Sequence, residues 1–344
     1  MVIGNWQLPI TNYQLPITMI ITLSILAAVL PTVLYVALVY WIDRYEKEPK
    51  WLLAAAFLWG AVPSIVAAFV LNTLFSLPFY LIGNEATAEF VGSSLVAPPV
   101  EESLKAMALL GIFFLWRHEL DSPLDGIIYG AMVGMGFAMV ENVFYFLSVY
   151  QAEGVEAWQI NIFMRAIVFG LNHALFTSLT GLGLAVSRLT ANRLTRYAAP
   201  VVGWSAAVFL HFLHNFSASV GGAFCLALLA GDWGGVLLLL VIVVWALAQE
   251  RRWIKEYLAD EVAQGTLTAA QYEIACSTWK RFGHRWSLLL ERGPAAYLNA
   301  YRFYHRCSEL AYKKRHQATV QNTHNNQLVG KLRQEVAYLS PLVS

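Results

Sequence analysis

The stretch Ala97-Pro98-Pro99-Val100-Glu101-Glu102-Ser103-Leu104-Lys105 opens an apolar segment that continues to Trp116. A helix of this length crosses a hydrocarbon core of about 30 Å, yet inserting each charged side chain costs about 2.5–3.5 kcal/mol. On a helix Lys105 lies one turn beyond both glutamates, so an internal ion pair can offset part of that cost. The segment therefore predicts a functional site inside a membrane protein. The alternative is that these charges sit at the membrane boundary and extend into water.

The composition of the whole chain also indicates a membrane protein. Of its 344 residues 58% are hydrophobic and only 13% are charged, which is too apolar for an ordinary soluble domain. Three widely spaced cysteines, Cys225, Cys276 and Cys307, show no pairing or CxxC pattern. They argue against a disulfide framework and against a cysteine-ligated zinc site.

About seven apolar stretches are long enough to cross a membrane, and they cover residues 19–42, 51–82, 97–116, 124–149, 161–187, 198–220 and 234–250. The sixth stretch could extend to about residue 230, past Gly221 and Gly222. Lysine and arginine concentrate in alternate loops and in the tail, with Arg165 as the exception. The positive-inside rule then places the N-terminus outside and the C-terminus in the cytoplasm. The predicted fold is an all-α, polytopic membrane helix bundle.

Two regions flank the predicted transmembrane domain, residues 19–250. Residues 1–18 contain two nearly identical heptads, 5–11 and 12–18, and are predicted to be disordered. Residues 251–344 carry fourteen Lys or Arg against seven Asp or Glu, which suits the cytoplasmic side of an anionic membrane. The lipid bilayer is therefore an expected partner, whereas no motif supports binding of nucleic acid.

The basic tail is predicted to be helical. Apolar spacing and strong helix formers favour helices over residues 251–263, 268–290 and 295–314, broken at Gly265 and at Gly293-Pro294. Its aromatic side chains could line a small helical domain or lie along the bilayer surface. These aromatic residues are Trp279, Trp286, Tyr301, Phe303 and Tyr304.

Polar residues occur in four successive predicted spans. Besides the first stretch, they are Glu141 and Asn142 in the fourth span, Arg165 and His173 in the fifth, and His211 and Asn215 in the sixth. One polar residue in a span is commonly explained by helix packing, but four such spans need another explanation. With the orientation above, the carboxylates and histidines fall in the outer half of the bundle. We therefore expect them to converge on one cavity.

Two kinds of chemistry suit this set of residues. A carboxylate beside a second carboxylate or a histidine can take a proton from water, while histidine and asparagine side chains can donate to an oxyanion. Alternatively, Glu141, His173 and His211 could hold a zinc ion with one open position, leaving Glu101 or Glu102 as the base. The chain contains no HExxH and no GxSxG motif, and Ser103 fits a helix-packing role as well as that of a nucleophile.

In this order the motifs resemble those of the PrsW family of membrane-embedded proteases, which are related to the CAAX-processing and bacteriocin-processing endopeptidases. The matching motifs are Glu-Glu-x-x-Lys at 101–105, Phe-x-x-x-Glu-Asn at 137–142, His173 followed by Phe176 and Thr177, and His-x-x-x-Asn at 211–215. The loop at residues 43–49 is similar to the acidic Glu-x-Glu-Pro loop of that family. The resemblance covers about residues 35–265.

The resemblance implies an intramembrane endopeptidase in a bacterial cytoplasmic membrane, acting on a membrane-protein substrate. The family's namesake is implicated in cutting an anti-sigma factor on the extracytoplasmic side. Glu101 and Glu102 would supply the catalytic carboxylate, with His173, His211 and Asn215 completing the site. The preferred glutamate mechanism needs no cofactor. A divalent metal such as zinc stays open, because histidine often stands at the position of Glu141 in the wider superfamily.

The favoured assignment makes Glu101 the base and Glu102 its structural partner with Lys105, and the reverse order stays open. Asn142 and Arg165 are expected to support the site, and Glu141 could simply pair with Arg165. Three further expectations are that His214 lies outside the site, that Asp125 interacts with the N-terminal dipole of its helix, and that Asp43, Glu46 and Glu48 form a solvated loop.

Two other classes of protein compete with a protease. A proton- or ion-coupled transporter could use the same glutamates and histidines as a relay, but such folds usually contain an internal repeat and none is found among these spans. A non-catalytic scaffold would explain the basic tail, but it would leave the charges within the membrane unexplained.

Overall fold

The computed structural model describes residues 16–45, 47–222, 224–319 and 323–343. This part of the chain forms helices and turns without any β-strand, so the all-α prediction is confirmed. The duplicated heptads lie outside the described residues except for residues 16–18, where the first helix begins at Ile17.

Long helices form the apolar part of the described chain. Their bounds are α1 Ile17–Ile42, α2 Lys50–Ile82, α3 Glu85–Val91, α4 Ala97–Leu115, α5 Pro123–Glu153, α6 Val155–Leu189, α7 Arg193–Val220 and α8 Phe224–Ala263. Within the described residues, six helices are long and apolar enough to cross a membrane. Helix α4, the third predicted span, is not among them, because three charged side chains lie close together within its 19 residues. Helices α2 and α6 contain π turns at Gly60–Ser64 and Phe163–Val168.

Helix α5 lies at the centre of the bundle and packs most extensively against α6. The two backbones approach closely because glycine lies at their contact. A Cβ atom added to Gly134 would lie 2.1 Å from the carbonyl oxygen of His173, so no larger residue fits without moving α6. This contact holds the backbone of His173 against the central helix.

Local hydrogen bonds fix the start of α5. Ser122 Oγ accepts from the backbone N–H of Leu124 and Asp125, while the Asp125 carboxylate accepts from the N–H of Ser122 at 2.7 Å and of Asp121 at 2.8 Å. This capping box satisfies helix donors that would otherwise lack partners. The expected role of Asp125 at the helix N-terminus is therefore confirmed.

The bounds of the last two spans differ from the prediction. Helix α7 ends at Val220, because Gly221 and Gly222 adopt φ values of +68° and +60°, and its extension to residue 230 is wrong. The last span and the first predicted tail helix are one helix of 40 residues, α8. No glycine or proline interrupts the sequence from 236 to 263, so the helix continues into the tail.

The tail continues as α9 Ala269–Ala275, α10 Thr278–Arg292, α11 Pro294–Thr319 and α12 Thr323–Leu339. The predicted breaks are confirmed at Gly265 and Gly293, both with positive φ. Phe303 and Tyr304 are buried in a core shared with the end of α8, whereas Trp279 and Trp286 are 71% and 44% exposed. The expectation of a small helical domain therefore holds for Phe303 and Tyr304, whereas contact of Trp279 and Trp286 with the bilayer surface stays a prediction.

The loop after α1 is not solvated as predicted. Asp43 and Glu48 are only 3% and 6% exposed; Asp43 Oδ2 accepts from the backbone N–H of Glu48 at 2.8 Å, and Tyr129 donates to the Glu48 carboxylate. Burial raises the pKa of Asp43 to about 6 and raises that of Glu48 well above its usual range. The prediction fails because distant parts of the chain cover this loop: Glu48 contacts Tyr129 of α5, and Tyr45 belongs to the tail core. Glu46 lies outside the described residues.

Candidate active site

Glu102 and Lys105 form an enclosed ion pair on α4. Both side chains are 0% exposed, and Lys105 Nζ donates to Glu102 Oε1 at 2.8 Å. Thr177 of α6 donates to Glu102 Oε2 at 3.1 Å, and His211 Nδ1 of α7 lies 3.0 Å from Oε1. The predicted pairing is confirmed inside the bundle, where these contacts tie three helices together.

Glu101 has a different environment from its neighbour. Its Oε1 accepts from Asn72 Nδ2 of α2 at 3.2 Å. Its Oε2 lies 3.7 Å from Lys105 Nζ and 3.8 Å from His211 Nε2, and it is buried without a hydrogen-bond partner among the described residues. A buried carboxylate oxygen in this state costs free energy, so it calls for a chemical explanation.

His173 links Lys105 to Glu141. Its Nδ1 lies 3.0 Å from Lys105 Nζ, and its Nε2 lies 3.0 Å from Glu141 Oε2. Because an ammonium group only donates, Nδ1 accepts and Nε2 carries the hydrogen that is donated to Glu141. Arg165 donates to Glu141 at 2.5 Å and to Asn142 Oδ1 at 2.9 Å. Glu141 therefore contacts both the expected arginine and a candidate catalytic histidine.

His211 is held by a carboxylate and an aromatic ring. With its Nδ1 hydrogen donated to Glu102, the lone pair of Nε2 faces the unpartnered oxygen of Glu101. Its ring stacks on Phe176 with centroids 5.0 Å apart, and the His173 ring centroid is 5.1 Å away. The two histidines and Glu101 thus surround one point at the centre of the bundle.

The other predicted residues lie around this centre. Asn215 Nδ2 donates to the carbonyl of Ser93 at 2.9 Å, just before α4, and makes no direct hydrogen bond to the carboxylates. Ser103 is exposed and donates to the carbonyl of Pro99 on its own helix at 2.6 Å, so the helix-packing role is not supported. His214 lies outside the cluster, as expected, with Nδ1 2.7 Å from Asp232 Oδ2.

Sequence reasoning missed several polar residues near the centre. Asp232 of α8 is 5% exposed, and Asn172, which precedes His173, lies 3.0 Å from the same His214 nitrogen. The predicted last span began at residue 234, so this carboxylate within the helix went unnoticed. The available signal was a lone charge in an otherwise apolar stretch. Asn72 in α2 was visible only as a single polar residue, and Thr177 in α6 only as part of the motif that begins at His173.

A set of three residues could hold a metal ion. One oxygen of Glu101 and one ring nitrogen each of His173 and His211 lie within 4.8 Å of one another, and no other such set of His, Cys, Asp or Glu exists within the described ranges. The set predicted from sequence contained Glu141 instead of Glu101. The structure differs because Glu141 is engaged by Arg165, whereas Glu101 Oε2 faces the histidines.

Comparison with known proteins agrees with the arrangement of these motifs. The model of the "PrsW family intramembrane metalloprotease" matches residues 48–248, more than half of the chain. The proteins named Protease PrsW from Geobacillus kaustophilus and Bacillus subtilis are 29% and 30% identical over 221 and 167 residues. These matches cover 64% and 48% of this chain, and 86% and 70% of the relatives. No solved structure shows significant similarity.

The helical bundle and these relatives define an integral membrane peptidase. Within that class, the chain belongs to the PrsW family of intramembrane proteases.

Proposed function

We propose that this protein is an intramembrane endopeptidase in which the carboxylate of Glu101 activates the water that attacks a substrate peptide bond. The single observation that supports this choice is the buried, unpartnered Glu101 Oε2, 3.8 Å from His211 Nε2. Glu102 is a weaker candidate, because both of its oxygens already accept hydrogen bonds from neighbouring side chains.

In this proposal Glu101 takes a proton from water as the water oxygen bonds to the substrate carbonyl carbon. The proton then passes to the amide nitrogen while the carbon–nitrogen bond breaks, so that new carboxyl and amino termini leave. His211 can stabilise the negative charge that develops on the carbonyl oxygen once its Nε2 carries a proton, and His173 can do so once Glu141 releases its Nε2 hydrogen. Asn215 can assist only after releasing the carbonyl of Ser93, to which it now donates.

Glu102 and Lys105 are positioning residues in the proposed mechanism. Glu102 accepts from His211 Nδ1 and so directs Nε2 toward Glu101. Lys105 keeps its charge between the two glutamates and lies 3.0 Å from His173 Nδ1, which fixes the orientation of that ring. Because both groups are fully enclosed, their geometry does not depend on solvent.

A metal-dependent peptidase is the second candidate. Carboxylate oxygen and imidazole nitrogen are ligands that zinc accepts, and a carboxylate behind the distal nitrogen, as Glu102 stands behind His211, is usual for a ligating histidine. Glu101, His173 and His211 would hold the ion, with His173 first releasing Lys105 or Glu141. When bound, the metal would lower the pKa of a water molecule and polarise the substrate carbonyl.

The proposed substrate is a membrane-associated protein, with regulated cleavage of an anti-sigma factor as the candidate that the family resemblance suggests. The proposed setting is a bacterial cytoplasmic membrane, with the N-terminus outside and the C-terminus in the cytoplasm. The alternation of lysine and arginine between loops supports this orientation.

The test maps new protein termini in membranes from cells that express the wild type or Glu101→Gln. A matched control is Glu273→Gln, which makes the same chemical change at a side chain that is 69% exposed. We expect termini that appear with the wild type and the control but are absent with Glu101→Gln. An identical pattern in all three, with equal amounts of folded protein, would refute the proposal.

The two mechanisms are separated by metal analysis of the purified protein. A glutamate mechanism predicts full activity after chelation and no stoichiometric metal. A metal mechanism predicts about one ion per chain in the wild type, and loss of that ion in Glu101→Gln and in a His211→Ala variant.

A further inference from the structure

Two adjoining cavities lie where the loop after α1 meets α8 and α10. Their volumes are about 370 and 430 Å³, and they share Arg44, Tyr45 and Thr278 in their walls. Thr278 belongs to the first turn of α10, so the positive end of that helix also borders the cavities. The walls are strongly cationic, and their basic residues include Arg44, Lys47, Arg251, Arg252, Arg281 and Arg285.

Two guanidinium groups at this place have buried N–H groups that find no acceptor among the described residues. Arg281 is only 5% exposed; its Nε donates to Ala275 at 2.7 Å and its Nη1 to Ser308 at 2.8 Å, but its Nη2 has no partner. Arg44 stacks over the Trp41 ring at 3.9 Å, and its buried Nε also has no partner. Arginine remains charged in proteins, so each of these groups lacks a negatively charged acceptor.

These cations have no ion-pair partner among the described residues. No carboxylate oxygen of that part of the chain lies within 4.0 Å of the lysine and arginine side chains that line the cavities. Elsewhere in the same tail, Arg333 and Arg306 meet carboxylates at 2.7 and 2.8 Å. The difference indicates that an anion from outside the chain completes the cavity, since a buried charge needs a counter-charge.

We propose that the cavities bind the phosphate headgroup of an anionic membrane lipid. The cationic walls meet exposed apolar side chains at the end of a membrane-spanning helix, where Trp41 is 55% exposed. Helix α10 adds exposed side chains at a spacing of three or four residues, and these are Trp279, Phe282, Trp286 and Leu290. Such a face is typical of a helix that lies in the membrane interface.

The continuity of the two surfaces favours a lipid over free phosphate. Trp41, Trp279 and Phe282 line the larger cavity beside Arg281 and Lys47, so a headgroup among the cations leaves its acyl chains next to aromatic rings. A soluble phosphate would use only the cations. A bound lipid would connect the loop after α1 to the tail, which makes docking of α10 dependent on anionic lipid.

The test measures thermal unfolding of the delipidated full-length protein in a neutral detergent. The probes are dioctanoyl-phosphatidylglycerol, dioctanoyl-phosphatidylcholine and inorganic phosphate. We expect phosphatidylglycerol to raise the melting temperature in a saturable way, with much smaller effects of the other two. The variant Arg44→Gln/Arg281→Gln should bind phosphatidylglycerol about tenfold more weakly or worse, because charge-assisted hydrogen bonds are lost.

The matched control is Lys280→Gln/Lys331→Gln, which removes two positive charges at side chains that are 56% and 72% exposed. It should keep the wild-type affinity. If Arg281→Gln does not fold, Arg44→Gln/Arg252→Gln tests the same cavities from their more accessible side. Equal phosphatidylglycerol affinity in the folded cavity variant and the control would overturn the site. An equal shift with inorganic phosphate would overturn the lipid as its ligand.

Discussion

Glu261 in the tail and Glu101 in the membrane bundle are both buried glutamates, but their oxygens are used differently. Glu261 is 0% exposed, and both oxygens accept from Arg333 at 2.7 and 2.9 Å, while Lys314 adds a contact of 2.8 Å. Glu101 is 5% exposed, and its Oε2 accepts no hydrogen bond from the described residues. A carboxylate whose two oxygens both accept hydrogen bonds stabilises the fold. A carboxylate with an oxygen that accepts none can still bind a proton, a water molecule or a metal ion.

The largest expected effect comes from Glu101→Gln. The amide can still accept from Asn72, so the melting temperature should change little, but the group can no longer take a proton. Proteolytic activity should fall by about 10³-fold, within the range for loss of a general base. Turnover of a substrate identified by terminus mapping, in proteoliposomes, measures the loss. Activity above a tenth of the wild type would place the chemistry elsewhere.

The opposite outcome is expected for Glu261→Gln. Neutralising this carboxylate leaves Lys314 and Arg333 without their counter-charge and should lower the free energy of unfolding by about 2 kcal/mol, less than for a fully enclosed pair because Arg333 is 35% exposed. Thermal unfolding in detergent detects the change. Activity per folded molecule should stay at the wild-type level. A large loss of activity without loss of stability would erase the distinction between the two glutamates.

Asp232→Asn tests a buried carboxylate that has fewer hydrogen-bond contacts than Glu261 but lies close to the candidate site. Asp232 has one partner, His214, which also contacts Asn172 beside the candidate catalytic His173. We expect a loss of activity of about tenfold through displacement of the α6 segment, which is the scale of one charge-assisted hydrogen bond. Asp260→Asn, at an exposed position of the same helix, is the control. Unchanged turnover in both variants would mean that the His214 pair only stabilises the bundle.

The smallest effect concerns pH and the loop after α1. Burial raises the pKa of Asp43 to about 6, so between about pH 4 and 6 the folded protein holds a proton that the unfolded chain has released. The contribution of this group to stability therefore falls as the pH rises through that window, and it is constant above it. In Asp43→Asn this dependence is removed. Melting temperatures of the two proteins should converge at pH 4 and separate up to pH 6; parallel curves would contradict the assignment.

Much of the fold could be predicted from the sequence, because hydropathy and helix-breaking residues act locally. The predicted bundle and the breaks at Gly265 and Gly293 follow from these signals. The prediction of a solvated loop was wrong, because the loop packs against α5 and the tail, which are distant from it in sequence. The sequence also did not predict that α7 ends at Val220 or that α8 continues into the tail as one helix.

The candidate site, like the fold, could be predicted in part from the sequence. The residue types and their depth along the helices predicted that Glu101, Glu102, His173 and His211 would meet, because charges in apolar helices are tolerated only when they satisfy one another. Which of the two glutamates keeps an oxygen without a hydrogen bond depends on how the helices pack. Lys105, Thr177 and His211 come from three helices and all bind Glu102, which leaves Glu101 Oε2 unpartnered. That choice depends on distances of a few ångströms between helices, which residue spacing along a single helix does not encode.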